Sequence, residues 1–90
     1  MTKAGPIAEN GARLSVTAHP DDNVATLFDD NRQRTRIAGN LAIAPHIPFG
    51  HKVALAPIPA GGAVIKYGVV IGHAKSAIAQ GDHVHVHNIA

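Results

Sequence analysis

The sequence predicts an all-β domain of short strands that fold back on themselves repeatedly, and three observations carry that prediction. Short runs rich in Val and Ile, or alternating apolar with polar residues, follow one another with Gly and Pro between them. No long window carries an apolar stripe at helical spacing, and "HAKSAIAQ" (73–80) suits at most one helical turn. The motif Ile-x-x-Gly recurs in "IPFGH" (47–51), "IPAGG" (58–62) and "IAQGD" (78–82), each time ahead of an apolar strand.

Taken in order, residues 1–12 are Gly, Ala and polar residues without period and read as a flexible leader, with the domain over 13–90. "RLSVT" (13–17) and "NVATLF" (23–28) are β-leaning runs separated by "AHPDDN", whose Pro20 and paired aspartates signal a turn. "DDNRQR" (29–34) is a charged connector in which Asn31 suits a tight turn. Further strands are expected in "TRIAGNLAIA" (35–44), "HKVALA" (51–56), "AVIKYG" (63–68), "VVIGHA" (69–74) and "DHVHVHNI" (82–89). In each Ile-x-x-Gly the Ile anchors in the core, two residues turn, and Gly takes a positive φ that other residues resist. Pro48 and Pro59 bring a fixed φ to the start of their turns. The motif spacing of 11 and then 20 residues is too irregular for a solenoid.

Ninety residues that are 46% hydrophobic describe one soluble domain with a thin core, so a partner subunit or self-association is expected to help it. Lys and Arg number 8 against 6 Asp and Glu, and this mild excess is spread along the chain, which suits a small anionic ligand. Nucleic acid is not expected: no basic stripe is present and aromatic residues are only 3% of the chain. With no cysteine, any metal must be held by nitrogen and oxygen. No apolar run approaches the roughly 20 residues of a membrane span, and no secretory h-region opens the chain, so a cytoplasmic location with no membrane partner is expected.

Residues 47–90 resemble the SAF domain of the altronate and galactarate dehydratases, the UxaA family of sugar-acid hydro-lyases, through "GHKVAL", "VIKYG" and "HVHVHN" in the same order, with "DNVATLFDD" (22–30) fitting the strand before them. The chain is also similar to separate small subunits such as the alpha subunit of sulfolactate sulfo-lyase. The resemblance implies a β-clip fold and a share in a lyase that removes water, or sulfite, from a hydroxylated carboxylic acid. It implies help from a divalent metal, iron(II) first, with Mn2+ or Zn2+ as alternatives. The large catalytic region of the full-length enzymes is absent from the sequence, so a separate large subunit is the expected partner.

Side chains alternate along a strand, so an extended "DHVHVHNI" places His83, His85 and His87 on one face and Val84 and Val86 on the other. An ordinary half-buried strand has the same pattern, but imidazole is also the commonest ligand for borderline metals. Neighbouring histidines of the set lie about 6.6 Å apart along a straight strand and the outer two about 13 Å apart. A metal–nitrogen bond of about 2.1 Å then allows His85 to share an ion with His87 or with His83, and the outer two only if the strand bends. His83, His85 and His87 are therefore the candidate ligands, with His85 and His87 also candidates for acid and base. The missing oxygen ligands would come from the large subunit and from a hydroxy-acid substrate. Asp82 and Asn88 either orient imidazole N–H groups or serve as turn and cap residues.

His51, Lys66 and Tyr67 are the candidate substrate contacts. His51 and Lys52 follow a Gly turn on opposite faces of their strand; Lys66 offers a point charge to a carboxylate, and the single tyrosine, Tyr67, a hydroxyl to a polyol. His19, His46 and His73 sit in or beside turns and are assigned no role. No phosphate-cradling glycine loop or serine nucleophile motif is present, which argues against a kinase, a nicotinamide dehydrogenase or a serine hydrolase.

Overall fold

A computed structural model describes residues 10–90, so the expected leader lies mostly outside the described residues. Among the described residues the strands are β1 (Ser15–Val16), β2 (Val24–Leu27), β3 (Arg36–Ile37), β4 (Leu41–Ala42), β5 (Lys52–Ala54), β6 (Ala63–Lys66), β7 (Val69–His73) and β8 (His83–Val84). The expected all-β class is found, and no helix occurs among the described residues. The central antiparallel sheet has the order β1-β2-β5-β8, and β3-β4 and β6-β7 form two hairpins beside it.

The central sheet is covered on both faces. Val24 pairs with Ala54 and faces a cluster containing Ile58, Val64, Ala74, Ile78 and Val84, while Ala25 pairs with Val53 and faces Leu27, Ile37, Ile43 and Ile47. All four residues of β2 are buried, which is why "NVATLF" reads as a nearly continuous apolar run. Thr26 is the polar member of that strand, and its hydroxyl finds no hydrogen-bond partner.

The three Ile-x-x-Gly motifs behave as the sequence predicts. Ile47, Ile58 and Ile78 are buried, and Gly50, Gly61 and Gly81 have φ of 82°, 79° and 86°. In each, the residue after the Gly (His51, Gly62, Asp82) donates its N–H to the carbonyl three residues back (Pro48, Pro59, Ala79). The Gly N–H then donates to the end of a strand, at Leu27, Ala74 and Ala54 respectively, and that strand residue donates back to the carbonyl after the Gly. Ile58 and Ile78 exchange both backbone hydrogen bonds, so two of the motifs lie against each other. Each motif thus turns the chain, anchors it and docks it on a strand end.

The β6-β7 hairpin closes through Tyr67 and Gly68, both at positive φ (56° and 71°), the signature of a type I′ turn that suits the strand twist. Asp22 fixes this turn to the preceding loop: its carboxylate accepts from the backbone N–H groups of His19, Tyr67 and Gly68. Asn23 continues the work, its side chain bonding Ala63 O and Ile65 N as a further strand would.

Two expected elements differ, and the allowance of at most one helical turn holds with none formed among the described residues. "TRIAGNLAIA" is not one strand but the β3-β4 hairpin, turned at Gly39 and Asn40, both at positive φ. "HAKSAIAQ" forms no helical turn, because Ala74 and Ile78 are both buried and drawn into bridges with Ile89 and Ile58. The final strand ends at Val84, where residues 85–88 turn back and Ile89 pairs with Ala74. Val86 consequently points to solvent at 70% exposure instead of sharing the buried face of Val84.

Arg13, at the start of the domain, is fully buried. Its guanidinium donates to Asp29 Oδ1 (2.8 Å), to the Asp29 carbonyl (2.6 Å) and to the Ile47 carbonyl (2.5 Å), tying the first segment to the first Ile-x-x-Gly turn.

Candidate functional site

The pairing of β5 with β8 builds the site. Val53 sits directly opposite His83, so His51, two residues before Val53, reaches the same face of the sheet at its edge. The first Ile-x-x-Gly turn delivers His51 there and the third delivers His83. His51 Nδ1 lies 2.8 Å from His83 Nε2, one ring donating and the other accepting. The His51 ring stacks on His85 with centroids 3.7 Å apart and planes 10° apart, and the His83 ring lies 4.9 Å from that of His87.

The turn at residues 85–88 makes this clustering possible. Asn88 holds it closed: its Oδ1 accepts from His85 N at 3.0 Å, its Nδ2 donates to His83 O at 2.8 Å, and its own N–H donates to His85 O. Asp82 caps the preceding turn by accepting from Ala79 N. Both residues therefore position backbone, as turn and cap residues do, and no hydrogen bond from either reaches an imidazole. The bend brings the rings of His83 and His87 together although a straight strand would hold them far apart. His51, His83 and His85 each offer a ring nitrogen, and these atoms all lie within 4.8 Å of one another.

Burial and the neighbouring rings favour the neutral imidazoles. His83 is pushed down to about 4 by desolvation, then by His87, His51, His85 and Lys52, each of which repels a positive charge there. His51 is lowered for the same reasons, desolvation first and His85 next. Lys52, on the opposite face of β5, is lowered by burial and by Lys66. Unprotonated nitrogens, as His51 and His83 favour, are what a cation or a transferable proton requires.

The remaining sequence-derived candidates divide. Lys66 lies over the Tyr67 ring at 5.0 Å, and both belong to the exposed tip of the β6-β7 hairpin, with no direct contact to the imidazoles. Lys52 connects the two groups electrostatically, since it acts on His83 and feels Lys66. No local pattern signals that His51 joins His83, 32 residues away; only the strand pairing does that. A shallow cleft of about 450 Å³ between Gly11–Leu14 and Asn31–Arg34 lies elsewhere, but its charged groups are already engaged, Asp29 by Arg13 and Arg34 by the Ala12 carbonyl.

Fold and site together define a small all-β module that displays a cluster of imidazoles at one edge of its central sheet. The family model described as the altronate/galactarate dehydratase SAF domain matches residues 13–90. The chain belongs to that family. It is 46% identical over 75 residues to galactarate dehydratase (L-threo-forming) of Escherichia coli K12, which covers 81% of this chain and 14% of the enzyme. It is 36% identical over 76 residues to altronate dehydratase of Bacillus subtilis, covering 81% of the chain and 15% of the enzyme. A shorter match, 51% over 43 residues, joins it to the (2R)-sulfolactate sulfo-lyase subunit alpha of Chromohalobacter salexigens, covering 48% of this chain and 46% of that subunit. The chain thus spans only 14–15% of the length of the dehydratases it matches. No helix among the described residues is long and apolar enough to cross a membrane.

Proposed function

We propose that the chain is the small subunit of a sugar-acid hydro-lyase and supplies the imidazole edge of β8 to a metal-dependent dehydration site shared with a separate large subunit. The observation that carries this reading is the convergence of His51, His83, His85 and His87 at one sheet edge in a chain of the dehydratase SAF family. The substrate class is a small hydroxylated carboxylate, as the names of the altronate and galactarate dehydratases suggest.

The donor set suits a borderline divalent ion. Neutral imidazole nitrogens fit iron(II) or zinc better than a hard ion such as magnesium or calcium, and Mn2+ fits them less well. When bound, such an ion would stabilise negative charge on substrate oxygens and assist the departure of hydroxide. Dehydration also needs a base for the proton beside the carboxylate and an acid for the leaving hydroxyl. His85 and His87 flank the turn at the rim of the cluster and are assigned these proton-transfer roles, with His87 the more exposed of the two. His51 orients the cluster through His83, and its neutral form keeps a nitrogen open. Lys66, with Lys52 behind it, provides positive potential for a carboxylate, and Tyr67 an exposed hydroxyl for a polyol chain.

Purified small and large chains, assayed separately and mixed with galactarate, altronate and related hydroxy acids, test the proposal through formation of the 2-keto product. Activity only in the mixture supports it; a large chain fully active alone overturns it. A second reading, the alpha subunit of a sulfo-lyase, is favoured by the 51% and 52% identities to two such subunits, above those to the dehydratases though over fewer residues. Sulfite release from sulfolactate by the same mixture distinguishes it. Should the mixture act on neither class, a non-catalytic carboxylate-binding or assembly module is the reading that stands.

A further inference from the structure

The geometry points to a self-contained three-nitrogen metal site made by His51, His83 and His85, which binds one borderline divalent cation, of the zinc, cobalt or iron(II) class, without any partner chain. This rests on the reading above and revises it: with His85 bound to the ion, the proton-transfer role falls to His87. An extended final strand would give the ion to His83, His85 and His87, whereas the folded chain places His51 of β5 between the first two and leaves His87 outside the set.

Three features support it. The candidate ligand atoms lie within 4.8 Å of one another, close to the roughly 3.4 Å nitrogen separation that a tetrahedral ion with 2.1 Å bonds imposes. The positions are backed by β-sheet: His51 and His83 leave neighbouring strands whose pairing fixes their backbones, and Asn88 pins the backbone of His85. The His51–His83 contact is a hydrogen bond between two ring nitrogens at 2.8 Å, in which one proton occupies the line that a shared cation would take. A cation enters between the rings once the donating imidazole carries that proton on its other ring nitrogen, which leaves both rings as neutral acceptors toward the ion. The His51 and His85 rings are stacked with planes 10° apart, and lone pairs lie in the ring planes, so convergence on one ion turns the rings apart about χ2, a soft torsion for histidine. Three imidazoles leave a fourth position free, the arrangement of a site that accepts a substrate oxygen or water.

The test uses the 90-residue chain without a polyhistidine tag, stripped with chelator and titrated with Co2+, which reports its ligand field in the visible spectrum, and with Zn2+ by calorimetry. One ion per chain is expected. His51→Gln, His83→Gln and His85→Gln should each weaken binding by more than about 100-fold, beyond the 10- to 100-fold typical of an outer-sphere partner, while His87→Gln stays within about 10-fold. As a variant may lose its fold, ring ¹⁵N shifts of the unsubstituted chain give a second reading: added Zn2+ should move nitrogens of His51, His83 and His85 and leave those of His19, His46, His73 and His87 in place. Absence of binding, or loss of binding in His87→Gln equal to that in His51→Gln, overturns the site. Such a failure leaves the activity of the mixed subunits to be judged separately, and an inactive mixture with metal binding intact sinks the dehydratase reading alone.

Discussion

His51 and His83 face each other ring nitrogen to ring nitrogen at 2.8 Å, although 32 residues separate them. The contact exists because two Ile-x-x-Gly turns feed adjacent strands, and it places His83 where burial and neighbouring rings disfavour its charge. With its folded value near 4 against an ordinary 6.5, His83 resists protonation in the folded state. A group lowered in this way contributes stability above its unfolded value that is lost as pH falls from 6.5 towards 4. Because solvent reaches part of the ring, the loss should be on the order of 1 kcal/mol rather than the full value of the shift. Thermal unfolding of the metal-free chain across that window checks it: the midpoint should fall with pH, and His83→Gln should flatten the fall.

Arg13 is fully buried and pairs with the partly buried Asp29, so losing the guanidinium leaves the carboxylate uncompensated. Burial alone would raise the Asp29 carboxyl, but hydrogen bonds from Leu14 N–H, Arg13 and Asn31 N–H outweigh it and hold it below its usual range. Arg13→Met should cost about 3–5 kcal/mol in urea unfolding, since it strands Asp29 and the Ile47 carbonyl together. A cost below about 1 kcal/mol would show that water replaces the guanidinium freely.

Gly81 and Gly50 separate two demands that one motif makes. Both have strongly positive φ, so alanine strains either backbone by roughly 1–2 kcal/mol. A Cβ on Gly50 meets nothing, whereas one on Gly81 would press into the Ala42 carbonyl and Ile43. Gly50→Ala should therefore cost only the backbone term and Gly81→Ala clearly more, with loss of the packing of β4 on the third turn. Equal costs would contradict this account of the turn.

Thr26 carries a buried hydroxyl without a partner in the middle of the fully buried β2. Replacing it with the similarly shaped valine removes a desolvated polar atom, so Thr26→Val should be neutral or stabilising by up to about 1 kcal/mol in chemical denaturation. Destabilisation would mean the hydroxyl is satisfied.

What the sequence discloses and what it hides divide along the range of the interactions. The Ile-x-x-Gly turns are legible because everything they need, a buried anchor and a positive φ, lies within a few residues. "TRIAGNLAIA" misleads because its apolar residues run through the turn without alternation, and only Gly39-Asn40 marks the hairpin. "DHVHVHNI" misleads in the opposite way: its alternation is regular, yet Asn88 captures the backbone of His83 and His85 and bends the chain. The histidines that matter were visible as residues, but the membership of His51 depends on β5-β8 register, which no local pattern encodes. Arg13 reads as an ordinary surface charge until tertiary structure closes around it.

The imidazole edge is proposed to complete a site with a partner chain. This role is tested most directly by the rate of 2-keto acid formation from a hydroxy acid in a mixture of large subunit with either the unsubstituted small chain or its His85→Ala/His87→Ala form. If those rings serve the reaction, as ligand or as proton carrier, the doubly substituted chain should still bind the large subunit while the turnover rate falls by at least about 100-fold. An unchanged turnover rate with the doubly substituted chain bound would contradict it.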